Sequence, residues 1–181
     1  MNEDKQRTHK QQEAKRYSHT CYPIYDANCK VLILGTFPSV KSRETMFYYG
    51  HPQNRFWKVL AALFDSELPT TPEEKTRLLL ENHVALWDVI ESCEVIGSSD
   101  TSIKNVVVND ITQITNACKI KAIFGNGATS EKLYNRYLKE QVGREMIKLP
   151  STSPANATFT LERLINCWSV IRDTIKEEND S

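Results

Sequence analysis

Four short, largely apolar runs narrow the choice of fold more than anything else in this chain. They are Val31 to Leu34, Val84 to Trp87, Ile120 to Phe124 and Met146 to Leu149, and each stops at a glycine, an acid or a proline: Gly35, Asp88, Gly125 and Pro150. Continuous apolar runs of this length suit strands covered on both faces in a parallel sheet. The stretches between them keep helical spacing. From Arg55 onward the apolar positions are Phe56, Trp57, Leu60, Leu63 and Phe64. In TTPEEKTRLLLENH, Thr71 is placed to cap a helix, with Pro72 at its first position and Glu73 and Glu74 in its first turn. Asp110 is expected to cap a short helix through Ala117, and Gly125-Asn126-Gly127 reads as a turn, Asn126 left-handed, into a helix over 129–138. A last amphipathic helix carries Leu161, Leu164, Ile165, Trp168, Ile171 and Ile175 on one face. Strands alternating with helices predict an α/β fold, a three-layer α/β/α sandwich around a central, mostly parallel four-stranded sheet with right-handed connections. Val106 to Val108 favour an extended conformation, whereas Asp88 to Ser102, with its GSSDTS segment, reads as a polar loop at a strand end and a candidate wall of the same cleft as the other strand-exit loops.

The 181 residues, 40% hydrophobic and 25% charged, suffice for one domain with a proper core. The expected boundaries are a mobile polar arm over 1–21, a single domain over 22–176 and a tail over 177–181. Met1 to Thr20 is too hydrophilic for a signal or a membrane anchor, which points to the cytoplasm. Cys21, Cys29, Cys93, Cys118 and Cys167 are scattered and odd in number, as expected of reduced thiols rather than of a disulfide frame or a zinc site. The net charge is zero, so attraction to a polyanion has to come from local positive charge and should be salt-sensitive.

In an open α/β sheet, ligands bind beyond the carboxyl ends of the strands, and two loops stand there: GTFPS through HPQN, and LPSTSPAN. Neither is a phosphate-binding loop of the G-x-x-x-x-G-K-[ST] kind, and no hydrolase elbow G-x-S-x-G occurs. His9, His19, His51 and His83 lack metal-ligand spacing, so no metal or cofactor is expected. Phe47, Tyr48 and Tyr49 stand in a row ahead of Gly50, and Asn54 opens the helix that follows. A fixed carboxamide beside aromatic rings suits a flat heterocycle. Being both donor and acceptor, it can pair with a lactam edge such as that of hypoxanthine or uracil, the deamination products of adenine and cytosine. Asn54 is also a good helix cap, and the two uses are compatible. In LPSTSPAN, small hydroxyl residues and prolines would let backbone N–H and serine O–H groups approach a phosphate. Glu44 is the one carboxylate in the two loops, so water attack with little help from a base is expected. Asp88 and Asp100 are read as loop or capping residues.

Together, GTFPSVKSRETMFYYGHPQNRFWKVL, ALWDVIESCEVIGSSDTSIKN, Asn126-Gly127 and LPSTSPAN resemble the hypoxanthine-DNA (deoxyinosine) glycosylase group of the uracil-DNA glycosylase superfamily, in order and spacing from about residue 30 to 168. The resemblance implies a DNA-repair enzyme that flips a deaminated nucleotide from the duplex and hydrolyses its N-glycosidic bond. Hypoxanthine is the first expected base and uracil the second. The alternatives are a uracil- or mismatch-specific glycosylase and a non-catalytic module that binds DNA or a free base. By the same resemblance Asn54 is the catalytic, base-reading residue and Tyr49 stacks on the flipped base. Gly35, Thr36 and Phe37 complete the base site, while Ser39, Gln53, Ser151, Thr152, Ser153, Ala155 and Asn156 grip the DNA; His51, read from the sequence as a loop histidine, is the remaining candidate for a base contact. Phe37 stands where mismatch-specific relatives hold a water-orienting asparagine, and Leu149 where the best-known uracil glycosylases hold a histidine. Gln53, Ser39 and Ala155 replace an arginine, a glycine and a bulkier wedge. No lysine in either loop is placed for a Schiff base, so a monofunctional, monomeric enzyme is expected.

Overall fold

In the computed structural model, which describes residues 13–96 and 103–177, the four apolar runs become the four strands of one parallel sheet. They are β2 (Val31–Gly35), β3 (Val84–Asp88), β6 (Ala122–Asn126) and β7 (Met146–Leu149), in the spatial order β3-β2-β6-β7. Every residue of β2 and β3 is buried, as unbroken apolar runs demand of strands covered on both faces. The edge strand β7 buries only Met146 and Leu149. From β2 the chain crosses to β3 on one side and later to β6 on the other. Right-handed crossovers in opposite directions place their helices on opposite faces, which gives the three-layer sandwich. The reversal falls between β2 and β6, the place where open α/β sheets leave a crevice at their carboxyl ends.

Helix α2 (Phe56–Leu63) follows the first loop, and α7 (Leu161–Lys176) packs on it and reaches β2. In α3 (Pro72–Glu81) the Thr71 hydroxyl accepts the Glu74 N–H, and the Glu74 carboxylate accepts the Thr71 N–H in return. Helix α4 (Thr112–Ala117) has its entry held by Asp110, whose carboxylate accepts the Thr112 N–H at 3.2 Å. Helix α5 (Ala128–Tyr137) lies between β6 and β7 in sequence and packs on both.

Several expectations are corrected. Lys15–Ser18, assigned to the arm, is strand β1, and within the stretch read as the polar loop Asp88 to Ser102, Ile90–Val95 is strand β4. With β5 (Lys104–Val108) they form a separate antiparallel sheet, β1-β4-β5. Register shifts around Ser92 break the alternation by which β4 would have been recognised. Residues 39–46, left inside the first loop, contain α1 (Val40–Thr45), capped by the Ser39 hydroxyl. Asn126 is the last residue of β6, and the left-handed position belongs to Gly127, at φ 94°. The segments 1–12 of the arm, GSSDTS with Asp100, and 178–181 of the tail lie outside the described residues.

Trp57, Trp87 and Trp168 sit in the core, and the five cysteines are thiols, four of them buried and Cys167 exposed. Burial, reinforced by the charge of Asp88, pushes the Cys21 thiol up to about 11, and burial pushes Cys29 up to about 12. A raised pKa keeps both as unreactive thiols at neutral pH. Brief alkylation of the native protein at pH 8 should therefore modify Cys167 alone. Mass spectrometry of the peptides checks this, and fast labelling of Cys21 or Cys29 would show that the core is open.

Candidate functional site

The four strand ends surround one cavity of about 250 Å³. Gly35 comes from β2, Asp88 from β3 and Asn126 from β6, while Ser151 to Pro154 follow β7. Of the residues expected at the site, Gly35, Thr36, Phe37, Ser39, Tyr49, His51, Asn54, Ser151, Thr152 and Ser153 line it. Gln53 and Ala155 are exposed outside it. Asn156 is structural here: its amide donates to the Ser151 carbonyl at 3.0 Å, and its own carbonyl accepts from Arg55.

The Asn54 carboxamide has a defined orientation. Its Oδ1 accepts the Phe56 N–H at 3.0 Å and the Thr152 hydroxyl at 2.9 Å. Those two bonds occupy both lone pairs of the carbonyl oxygen, so the group offers a base only its Nδ2 donors. This revises the two-way pairing expected from the sequence, because the acceptor half of the amide is consumed in capping α2 and tying the two loops together. Thr152, fully buried, is gripped a second time by Asn126, whose Nδ2 donates to Oγ1 and whose Oδ1 accepts the Thr152 N–H, both at 3.0 Å.

Arg55 locks the loops further. Its backbone N–H donates to Thr152 O at 3.1 Å, and its guanidinium donates to the carbonyls of Ser153, Asn156 and Phe159. Hydrogen bonds to a charged donor are each worth roughly 1.5–3 kcal/mol. Arg55→Ala should lower stability by about 3 kcal/mol and loosen residues 151–159. Hydrogen exchange confined to that loop would confirm the clamp, and unchanged protection there would refute it.

Of the aromatic run, Phe47 and Tyr48 are core residues. Phe47 stacks on Trp57 at 6.1 Å, and Tyr48, which is 2% exposed, donates its hydroxyl to Tyr22 O. Tyr48 also borders the cavity, and Tyr49 forms its wall. It stands at φ 53°, a strained conformation for an aromatic residue. Its ring stacks on Phe56 with centroids 4.0 Å apart, which leaves at most one face for a ligand. Its buried hydroxyl makes no well-formed hydrogen bond and lies beside the Asn126 amide, which is bonded to Thr152 through its oxygen and one N–H. Burial, and after it the charge of Asp88, drives this phenol's pKa upward, so it stays a protonated donor.

Two cavity residues, Arg43 and Asn126, were not anticipated in this role, and Asp88 was anticipated only as part of a loop walling the cleft. Asp88, assigned to a loop, ends β3, and its Oδ2 lies 2.8 Å from His19 Nε2, both side chains about 5% exposed. A Cβ on Gly35 would come within 2.3 Å of Asp88 Oδ1 and 2.8 Å of Tyr49 Oη, so only glycine fits there. Arg43, on α1, reaches the cavity and lies over the rings of Tyr17 at 4.1 Å and Phe37 at 5.6 Å. Asn126 enters the cavity from the end of β6. Nothing local in the sequence marks His19, whose partner is 69 residues away.

The phosphate-gripping reading of LPSTSPAN also changes in detail. The N–H groups of Thr152, Ser153, Ala155 and Asn156 all donate within the protein, to Asn126, Ser151 and Ser153. Contacts to an anion would fall to the hydroxyls of Ser151 and Ser153 and to Arg43. Among the described residues, no group of three or more His, Cys, Asp or Glu could hold a metal ion, and no helix is long and apolar enough to cross a membrane.

A polar crevice beyond the carboxyl ends of a parallel sheet, walled by aromatic rings and equipped with a fixed amide, defines a protein that takes a small planar group out of solvent. The chain belongs to the uracil DNA glycosylase superfamily, whose sequence model matches residues 22–172. It is 33% identical over 151 residues to a hypoxanthine DNA glycosylase of Methanosarcina acetivorans, covering 82% of this chain and 94% of that one. A hypoxanthine DNA glycosylase of Methanosarcina barkeri is 33% identical over 136 residues, 74% of this chain and 85% of that protein. The fold is similar to a solution NMR structure from Methanosarcina acetivorans, described as a candidate uracil DNA glycosylase. The TM-score is 0.75 at 30% identity, with 88% of this chain and 99% of that one covered.

Proposed function

We propose that the protein is a monofunctional DNA glycosylase that removes hypoxanthine from deoxyinosine, with uracil as a second substrate, and that it acts as a monomer in the cytosol without metal or cofactor. The observation that carries this reading is the oriented Asn54 amide, its oxygen held from behind so that only N–H is left for the cavity. A volume of about 250 Å³ lies just below the usual range for small-molecule pockets, roughly 300–1,000 Å³, and suits a single base.

A base must leave the helical stack to reach such a site. Breaking the C1′–N bond leaves its electron pair on the base and positive charge on the sugar. Water oxygen then bonds to C1′ and releases a proton, and the departing base takes one up. A donor fixed where negative charge develops stabilises the transition state more than the ground state. Asn54 Nδ2 fills that role, and Tyr49 and Phe37 supply the apolar walls that strengthen it. Hypoxanthine leaves more readily than adenine because its lactam spreads charge onto O6. Arg43 and the Ser151 and Ser153 hydroxyls hold the flanking phosphates, so binding weakens as salt rises.

The test uses duplexes carrying deoxyinosine, uracil or xanthine, each treated with alkali after incubation. Strand breaks at deoxyinosine support the proposal, and none before alkali treatment supports a monofunctional enzyme. Breaks at uracil alone would make the protein a uracil glycosylase, and binding without breaks a non-catalytic module.

A further inference from the structure

Beside the cavity stands the second sheet, β1-β4-β5, to which base excision as described gives no work. Its first strand, β1, precedes the matched residues 22–172. Three of the four β1 residues are exposed, and Tyr17 is the half-buried one. Antiparallel pairing with β4 sets Tyr17 opposite Cys93 and Lys15 opposite Val95. Val95 itself lines the cavity, so this sheet borders the site. Over the Tyr17 ring lies the guanidinium of Arg43, 4.1 Å from the ring centroid, and Phe37 flanks the same group at 5.6 Å.

Arg43 needs such a support. It belongs to α1, a helix of six residues of which only Ser42 is buried, so little else fixes a long side chain there. Lys41, on the same helix, is matched by Glu44 at 3.5 Å. Arg43 is not: among the described residues its guanidinium makes neither a hydrogen bond nor an ion pair, and the cavity carboxylate of Asp88 is bonded to His19 instead. The rings attract its charge but supply no oxygen, so its five N–H donors remain unspent. In a chain of zero net charge, an unneutralised cation lining the cavity is a place where a phosphate gains. An arginine already held against a ring has also lost the rotamer freedom that a loose one gives up on binding.

Building on the glycosylase reading, we infer that β1 is a strap whose Tyr17 ring holds the Arg43 guanidinium ready to receive a phosphate of the damaged strand beside the flipped nucleotide. Tyr17 is a positioning residue, acting through Arg43 and touching no reacting atom. The strap governs how tightly, and with what salt dependence, the duplex is held. The choice of base stays with the cavity.

Binding is followed by fluorescence anisotropy on the full chain across a range of salt, with thermal melting as the check on folding. The probe is a duplex whose deoxyinosine carries a 2′-fluorine, which disfavours positive charge on the sugar and keeps the glycosidic bond intact during the measurement. Arg43→Gln should weaken binding about tenfold and flatten the slope of log K against log salt by about 0.9, the loss of one phosphate contact. Tyr17→Leu should reproduce most of that loss and flatten the slope as well, whereas Tyr17→Phe, which keeps the ring, restores both. Adding Tyr17→Leu to Arg43→Gln should cost nothing further, because the ring acts only through the guanidinium.

A folded Tyr17→Leu variant that keeps the wild-type slope, or whose loss adds to that of Arg43→Gln, overturns the inference and leaves Tyr17 a packing residue. If Tyr17→Leu does not fold, NMR of the wild type decides. Arg43 side-chain protons shifted upfield by the ring, and still shifted with the duplex bound, support the strap. The same protons at ordinary positions, or an unchanged slope in Arg43→Gln, overturn it. Wild-type protein that shows these slopes but cuts no deoxyinosine duplex lacking the fluorine would undo the glycosylase reading while the support of Arg43 by Tyr17 stands.

Discussion

Asn54→Ala should lower the single-turnover rate of deoxyinosine excision by about a hundredfold or more, the usual effect of deleting one preorganised donor aimed at developing negative charge. Stability should fall as well. The Asn54 oxygen accepts the Phe56 N–H at the start of α2, as a cap would, and satisfies the hydroxyl of the fully buried Thr152. Losing a cap costs about 1 kcal/mol, and stranding a buried hydroxyl about 1–3 kcal/mol more. Asn54→Asp separates the two roles. Aspartate keeps an oxygen for both donors and is an equally good cap, but it has no N–H to offer a base. The Asp variant should therefore melt close to the wild type and still lose at least a hundredfold in rate. An Asp variant that is stable and active would reduce Asn54 to a helix cap, and the catalytic role would pass elsewhere in the cavity.

That experiment depends on a detail invisible in the chain as text. The position of Asn54 at the start of an amphipathic helix, after a strand exit and an aromatic run, is a local pattern and could be read. The direction of its amide is set by Thr152, 98 residues away. The same division holds for the fold. β2 and β3 are short apolar runs whose burial on both faces follows from composition, and Thr71-Pro72-Glu73-Glu74 announces its capping box without help from elsewhere. The β1-β4-β5 sheet could not be read this way. KRYS is mostly exposed and is held by its pairing with IESCEV far along the chain, and IESCEV is interrupted by register shifts. Asp88 was misjudged for a related reason. As one acid after an apolar run it looks like a loop residue, and only its strand pairing opposite Gly35 and its contact with His19 carry it into the cavity. The motif loops marked two walls of the cavity, and long-range pairing decides which atoms face it.

Phe56→Ala should be the most destabilising single change around the site. Phe56 is fully buried, and its ring joins three others: Tyr49 stacked at 4.0 Å, Trp57 edge-on at 4.8 Å and Trp168 edge-on at 5.8 Å. Truncating a buried phenylalanine costs about 3–5 kcal/mol, which for a chain of this length lowers Tm by roughly 6–20 °C. The damage should also spread in a defined direction. Tyr49 holds a positive φ that costs about 1–3 kcal/mol, and the stack on Phe56 is what offsets it. Trp168 donates its Nε1–H to Pro150 O at 2.9 Å, so the same ring supports the start of the second loop. One core residue thus braces both walls of the cavity from behind. Phe56→Leu, which keeps most of the volume and discards the ring, should cost only about 1–1.5 kcal/mol in packing yet still release Tyr49. Below its melting temperature this variant should show weaker near-ultraviolet circular dichroism and weaker retention of a deoxyinosine duplex. A Leu variant that loses that stability but binds and excises like the wild type would show that the Tyr49 wall stands without its stack.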